Sequence, residues 1–129
     1  LGIYSFNKKR FYFDKFGKII EEVDSKTNND EKLIIFVGQS SNLKANIIID
    51  IIESLEFNKT FKVKKIIYRE KRRWDVFLDS NIKLMLSESN PKKSLQNYLK
   101  IKKNLSEADM NNIKWLDLRN INKTLITYY

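Results

Sequence analysis

The chain has 129 residues, 42% hydrophobic and 12% aromatic, the composition of one folded domain with a core of its own. It has neither cysteine nor histidine, which excludes disulfides, thiolate and imidazole metal sites, cysteine nucleophiles and Ser-His-Asp triads. A net charge of +9 favours anionic partners, but only 5 of the 25 basic residues are Arg, the residue best suited to bidentate phosphate contacts. Lys, Asn and Ile together make up 51 of the 129 residues, as AT-rich codons would produce, so the charge by itself points only weakly to nucleic acid.

The chain begins with Leu1 rather than Met and is read as a piece of a longer protein. Phe11 to Ile20, FYFDKFGKII, predicts a hairpin, with Gly17 supplying the positive φ that a short loop needs. Glu21 to Lys32 is polar and aperiodic and reads as a surface loop. Leu33 to Gly38, LIIFVG, is a short apolar run ended by glycine and fits a strand buried on both faces. Ser40, Ser41 and Asn42 offer N-caps for a helix from about Leu43 to Leu55. Its inward stripe is Ile48, Ile51, Ile52 and Leu55, widened by Ile47 and Ile49. The apolar segment Ile47 to Ile52 is interrupted by Asp50, so it does not span a bilayer.

From Phe61 to Leu86 three segments alternate with period two, which predicts an antiparallel meander. Trp74, Val76 and Leu78 point to the core, and many of the basic side chains between Lys64 and Arg73 fall on the outer face. Asn81 takes the left-handed position of the second turn. A helix starts at Pro91, after Ser89 and Asn90, and runs to about Leu105 with Leu95, Tyr98 and Leu99 inward. Ser106 to Asp109 caps a further short turn. A strand through Leu116 and Leu118, a turn over Asn120 to Lys123, and a last strand from Thr124 to Tyr128 complete the chain. The fold class is therefore α+β, a largely antiparallel mixed sheet with two main helices on one side and a C-terminal edge strand.

The residues for catalysis are missing. The three glycines are far apart and form no phosphate loop. Asp75 and Asp79 stand about 13 Å apart at strand rise, too far for a paired acid and base. Asp14 and Asp117 read as turn and ladder residues, and Glu21 with Glu22 as a solvated pair. An enzyme is not expected, nor any cofactor or metal site. The alternative is a basic nucleic-acid-binding domain, although no RNP, KH or helix-turn-helix signature is present. Thr124 to Tyr129 carries no charge, no proline and no glycine. It is either covered inside the sheet or a docking edge for a strand from another chain, and periodicity leaves both open.

FYFDKFGKII, LIIFVGQ before an amphipathic helix, RRWDVFLDSNIKLMLSE, a second helix and IKWLDLRN before a final strand occur in an order that resembles the FtsQ family of bacterial cell-division proteins. The likeness runs from about Ile3 to Tyr128 and matches the C-terminal β domain. It implies that residues 1–9 end an upstream POTRA-like domain and that residues 10–129 are the FtsQ-type β domain. It implies a non-enzymatic divisome scaffold in the bacterial inner membrane, anchored by a single N-terminal helix absent from this chain, with this domain in the periplasm. Its partners would be FtsB- and FtsL-like division proteins, without nucleic acid, and a partner segment would add a strand to the last strand. The binding residues implied are Arg72, Arg119, Asn120, Asn122, Thr124, Ile126 and Tyr128. Arg119 matches an arginine that pairs with partner carboxylate, Arg72 a basic position nearby, and Tyr128 an aromatic that contacts the partner. Asn120 stands where an aromatic can occur, and Ser80-Asn81 replaces an Asn/Asp-Gly type of turn.

Overall fold

The computed structural model describes residues 2–23 and 33–129. Its strands are β1 (Gly2–Phe6), β2 (Lys9–Phe13), β3 (Ile19–Glu22), β4 (Ile35–Val37), β5 (Val63–Arg69), β6 (Arg73–Leu78), β7 (Lys83–Leu86), β8 (Ile113–Leu118) and β9 (Leu125–Tyr128). Its helices are α1 (Ser41–Ser54), α2 (Phe57–Thr60), α3 (Pro91–Asn104) and α4 (Glu107–Asn111). The strands form one mixed sheet in the order β3-β2-β1-β4-β5-β6-β7-β8-β9, the α+β architecture expected.

Two crossovers shape the molecule. β4 runs parallel to β5 and is joined to it through α1 and α2; β7 runs parallel to β8 and is joined to it through α3 and α4. Because β5-β6-β7 is an antiparallel meander, β7 points the same way as β4. Both crossovers step in the same direction across the sheet, so crossovers of one hand put α1 and α3 on one face. Side chains from all four helices accordingly join a single cluster with Phe36, Ile66, Val76, Leu84 and Leu116. Within it Phe36 meets Phe13 and Trp74 edge-on at 5.5 and 6.2 Å, and Trp74 stacks on Tyr68 at 4.2 Å.

Local chemistry explains the turns. Asp14 Oδ1 accepts from the amides of Phe16 and Lys18 at 2.9 and 3.0 Å, and Gly17 takes φ +83°. A side chain at Gly17 would sit 2.7 Å from the Asn42 carbonyl, and Asn42 Nδ2 donates to the Gly17 carbonyl at 2.7 Å, so the hairpin tip locks onto the start of α1. Asn90 caps α3 by accepting from the Lys93 amide with Pro91 in the first turn, and Ser106 caps α4 by accepting from Asp109.

The structure departs from the sequence reading in several places. Helix α1 begins at Ser41, two residues early: Ser40 is in the left-handed region without a side-chain cap bond, and Ser41 and Asn42 are buried. Ile47 is 49% exposed rather than inward, because α1 buries only the arc through Ala45, Ile48, Ile49 and Ile52. Glu21 and Glu22 belong to β3, not to a loop; the rest of that predicted loop, residues 24–32, lies outside the described residues. β4 is shorter than predicted, and only Phe36 is fully buried; Ile35 and Val37 are half-buried, since the helices cover one face alone. Apart from these departures, Gly2–Phe6 forms β1 and pairs with both β2 and β4.

Phe36 has no exposed surface and touches two other aromatic rings, so Phe36→Ala should cost about 3–5 kcal/mol of stability. Urea unfolding followed by far-UV circular dichroism measures it.

Candidate partner-binding edge

β9 pairs antiparallel with β8 through Tyr128 with Ile113, Thr127 with Trp115, Ile126 with Leu116 and Leu125 with Asp117. Among the described residues nothing pairs with its other side, where the sheet ends. The register shift lies between Ile113 and Trp115, so the extra residue, Lys114, is on β8 and β9 stays regular. The Tyr129 amide donates to the Asn112 carbonyl at 2.9 Å. Amides alternate sides along a strand, so those of Leu125 and Thr127 also face β8, while those of Ile126 and Tyr128 face outward. Side chains alternate between faces: Ile126 packs against the core with Tyr128, 46% exposed, on that same face, while Leu125, 54% exposed, is on the opposite face. The strand has no lysine, proline or bulge to blunt it.

α3 holds the turn into β9. Ser94 Oγ donates to the Leu118 carbonyl at 2.7 Å and accepts from the Ser87 amide at 2.9 Å, tying helix, β7 end and β8 end together. Three residues along the helix, Asn97 Nδ2 donates to the Ile121 carbonyl at 2.9 Å. The Asn120 side chain accepts from the Asn122 amide at 2.9 Å, a local turn that sets the entry to β9.

Arg119 follows β8 directly. Its Nε and Nη2 donate to Asp117 Oδ1 and Oδ2 at 2.9 and 2.6 Å, a bidentate pair. That hydrogen bonding holds the Asp117 carboxyl below its ordinary range, partly offset by burial. Arg72, in the β5–β6 turn, is exposed and paired with Glu70. Arg72 and Arg119 line one cleft of about 630 Å³ together with Arg73, Ser87, Glu88 and Ser89. Asn120 and Leu125 line a smaller one with Asp117 and Arg119, about 210 Å³.

The structure thus brings Arg72, Arg119 and Asn120 to one end of the edge, with Asn122 and Thr124 leading into the strand. Tyr128 lies at the far end, about 10 Å along at strand rise. Sequence reasoning missed Arg73, Ser87 and Ser89. Arg73 stood next to Arg72 as a signal, whereas two serines gave none.

The sequence model of a family described as Cell division protein FtsQ/DivIB, C-terminal, matches residues 4–119. The chain belongs to the FtsQ/DivIB family. Its role is accordingly in cell division, in a family of non-enzymatic division scaffolds that act in complexes with protein partners. In that family the domain is the periplasmic part of a division protein. No curated protein matches the chain. No helix among the described residues is long and apolar enough to cross a membrane, and no group of three or more acidic residues there could hold a metal ion.

The Asp117 carboxyl is depressed chiefly by its hydrogen bond from Arg119, so the pair stabilises the fold above the unfolded-state pKa of that aspartate and the contribution disappears as pH falls through the lower folded value. Arg119→Gln should move the Asp117 titration up toward the ordinary carboxylate range in carboxyl-carbon NMR. The stability lost should stay within about 1 kcal/mol at neutral pH because Arg119 is half-exposed, and should vanish at strongly acid pH.

Proposed function

We propose that this domain is a divisome scaffold whose last strand receives a strand from an FtsB-like partner, in a complex that also includes an FtsL-like protein. One observation carries the reading: the amides of Ile126 and Tyr128 face outward from an uncharged, regular edge strand. Backbone bonds to that edge supply affinity, and the side chains beside it supply selectivity. At one end, Arg119, Arg72 and Asn120 are placed to meet partner carboxylates. At the other, the exposed ring of Tyr128 offers apolar surface. The seven residues Arg72, Arg119, Asn120, Asn122, Thr124, Ile126 and Tyr128 are the binding set in this reading. The rest of the whole protein, a membrane-anchoring helix and a POTRA-like domain ending near residue 9, belongs to the same proposal, with this domain on the periplasmic side of the inner membrane.

Magnitudes rank the contributions. Exposed ion pairs yield about 0.2–1 kcal/mol each, so the arginines tune orientation and encounter more than affinity. Buried aromatic anchors at the centre of an interface reach about 2 kcal/mol or more.

Titration of the domain with the periplasmic segment of the FtsB-like partner tests the reading. Tyr128→Ala, which removes the ring, should weaken binding roughly 30-fold, the equivalent of about 2 kcal/mol. Tyr128→Pro additionally removes an outward amide without touching the β8 ladder and should weaken it further. Arg119→Glu should slow association and lessen its dependence on salt. All three should retain the parent circular dichroism spectrum. Unchanged affinity in both Tyr128 variants would refute strand addition at this edge.

A further inference from the structure

The sheet has a second face, which no described helix covers. Its residues fall into two adjacent rows set by strand register. One row runs Lys65, Phe77, Lys83, Trp115, Thr127 across β5 to β9; the other runs Ile67, Asp75, Met85, Asp117, Leu125 across the same strands. A solvated antiparallel face normally alternates with the core as polar outward positions. Here Ile67, Phe77, Met85, Trp115 and Leu125 point outward instead, half-buried except for Leu125, which is 54% exposed.

The charges on this face are unequal. Asp75 is buried, with its Oδ2 2.8 Å from Arg69 Nε and 4.0 Å from Lys83 Nζ, and Asp117 is bound to Arg119. Both carboxylates are therefore committed. Lys65 and Lys114 form no salt bridge among the described residues. Their ammonium groups lie over rings, Lys65 at 4.7 Å from Phe77 and Lys114 at 5.0 Å from Trp115, while Lys83 lies 5.9 Å from Trp115.

We propose that this face is a second docking surface, separate from the β9 edge, for an acidic amphipathic segment of a partner protein. Apolar surface in register rows calls for an apolar occupant, and covering lysines without counter-charge strips water from ammonium groups at high cost. The occupant must therefore bring carboxylates to Lys65 and Lys114 and apolar side chains to Ile67, Met85 and Leu125. Five strands at about 4.8 Å spacing make the face about 19 Å wide, the length of a helix of roughly a dozen residues. A nucleic acid fits less well, since the ring faces it would stack on already carry ammonium groups and three of the outward residues are aliphatic.

Site-specific photo-cross-linking in the full-length protein in dividing cells tests this. Benzoylphenylalanine replaces Phe77 or Trp115, with exposed Lys59 as the control position. The expected result is a protein adduct at 77 and 115 at least 10-fold above the control, whose sequenced peptide is rich in Asp, Glu and apolar residues. The double variant Lys65→Glu with Lys114→Glu leaves the Asp75 pairs intact and should reduce the adduct at least 10-fold, with an unchanged melting temperature. Tyr128→Pro should leave the adduct in place, so this result does not depend on strand addition at β9. The proposal is overturned if neither position exceeds the control, if charge reversal has no effect, if Tyr128→Pro alone removes the adduct, or if the adduct is nucleic acid or a second copy of this chain.

Discussion

Everything in this domain depends on a constraint of chain direction. β4 to β5 and β7 to β8 are parallel pairs, and a parallel neighbour can be reached only through a crossover. The two crossovers advance the same way from strands that point the same way, so their helices share one face. That placement leaves the opposite face without a helical layer among the described residues. It also sends the chain out of α3 and α4 into β8, at the growing end of the sheet. The short turn over Asn120 to Lys123 then returns the final strand antiparallel against β8, where it becomes the edge.

An edge is useful only if it is held still. Here the support comes from α3, through Ser94 on the Leu118 carbonyl and Asn97 on the Ile121 carbonyl. These bonds satisfy backbone groups at the end of β8 and in the turn that follows, places where a free carbonyl would otherwise compete for partners. The Asp117–Arg119 pair lies at the same corner. Its two parallel bonds hold the guanidinium against β8 while leaving it half-exposed. In the proposed complex a partner carboxylate would share an arginine already oriented; the corner would set register and direction, and the strand itself would supply the larger, less selective part of the attraction.

The family assignment and the geometry meet at this edge. Membership in FtsQ/DivIB establishes a cell-division role; the match over residues 4–119 stops at the corner arginine, short of β9. The strand proposed to hold the partner is thus argued from its own backbone. Its outward amides, lack of charge and regular alternation distinguish it from β3 at the opposite edge, where Glu21 and Glu22 sit in a four-residue strand that is exposed throughout. Charged residues on an edge discourage pairing, and their absence permits it.

The sequence by itself determined whatever rests on neighbours in the chain. The Asp14–Gly17 turn, the alternation of β5 to β7, the Pro91 helix start and the Ser106 cap are all set by residues within a few positions of one another, and all were legible. So was the inward position of Trp74. The candidate site was legible in part, because the D-L-R motif and an uncharged tail are local patterns too. Only the tertiary structure decided the rest. Gly2–Phe6 joins the sheet between β2 and β4, Ile47 falls outside the covered arc of α1, and Asp75 is buried on the open face with Arg69 and Lys83. Arg73, Ser87 and Ser89 gather beside Arg119, and β9 lies at a margin and not in the interior. The reason is the same in each case: strand order and the choice of covered face are set by crossovers between segments tens of residues apart, and periodicity says which side chains share a face but not what lies against it.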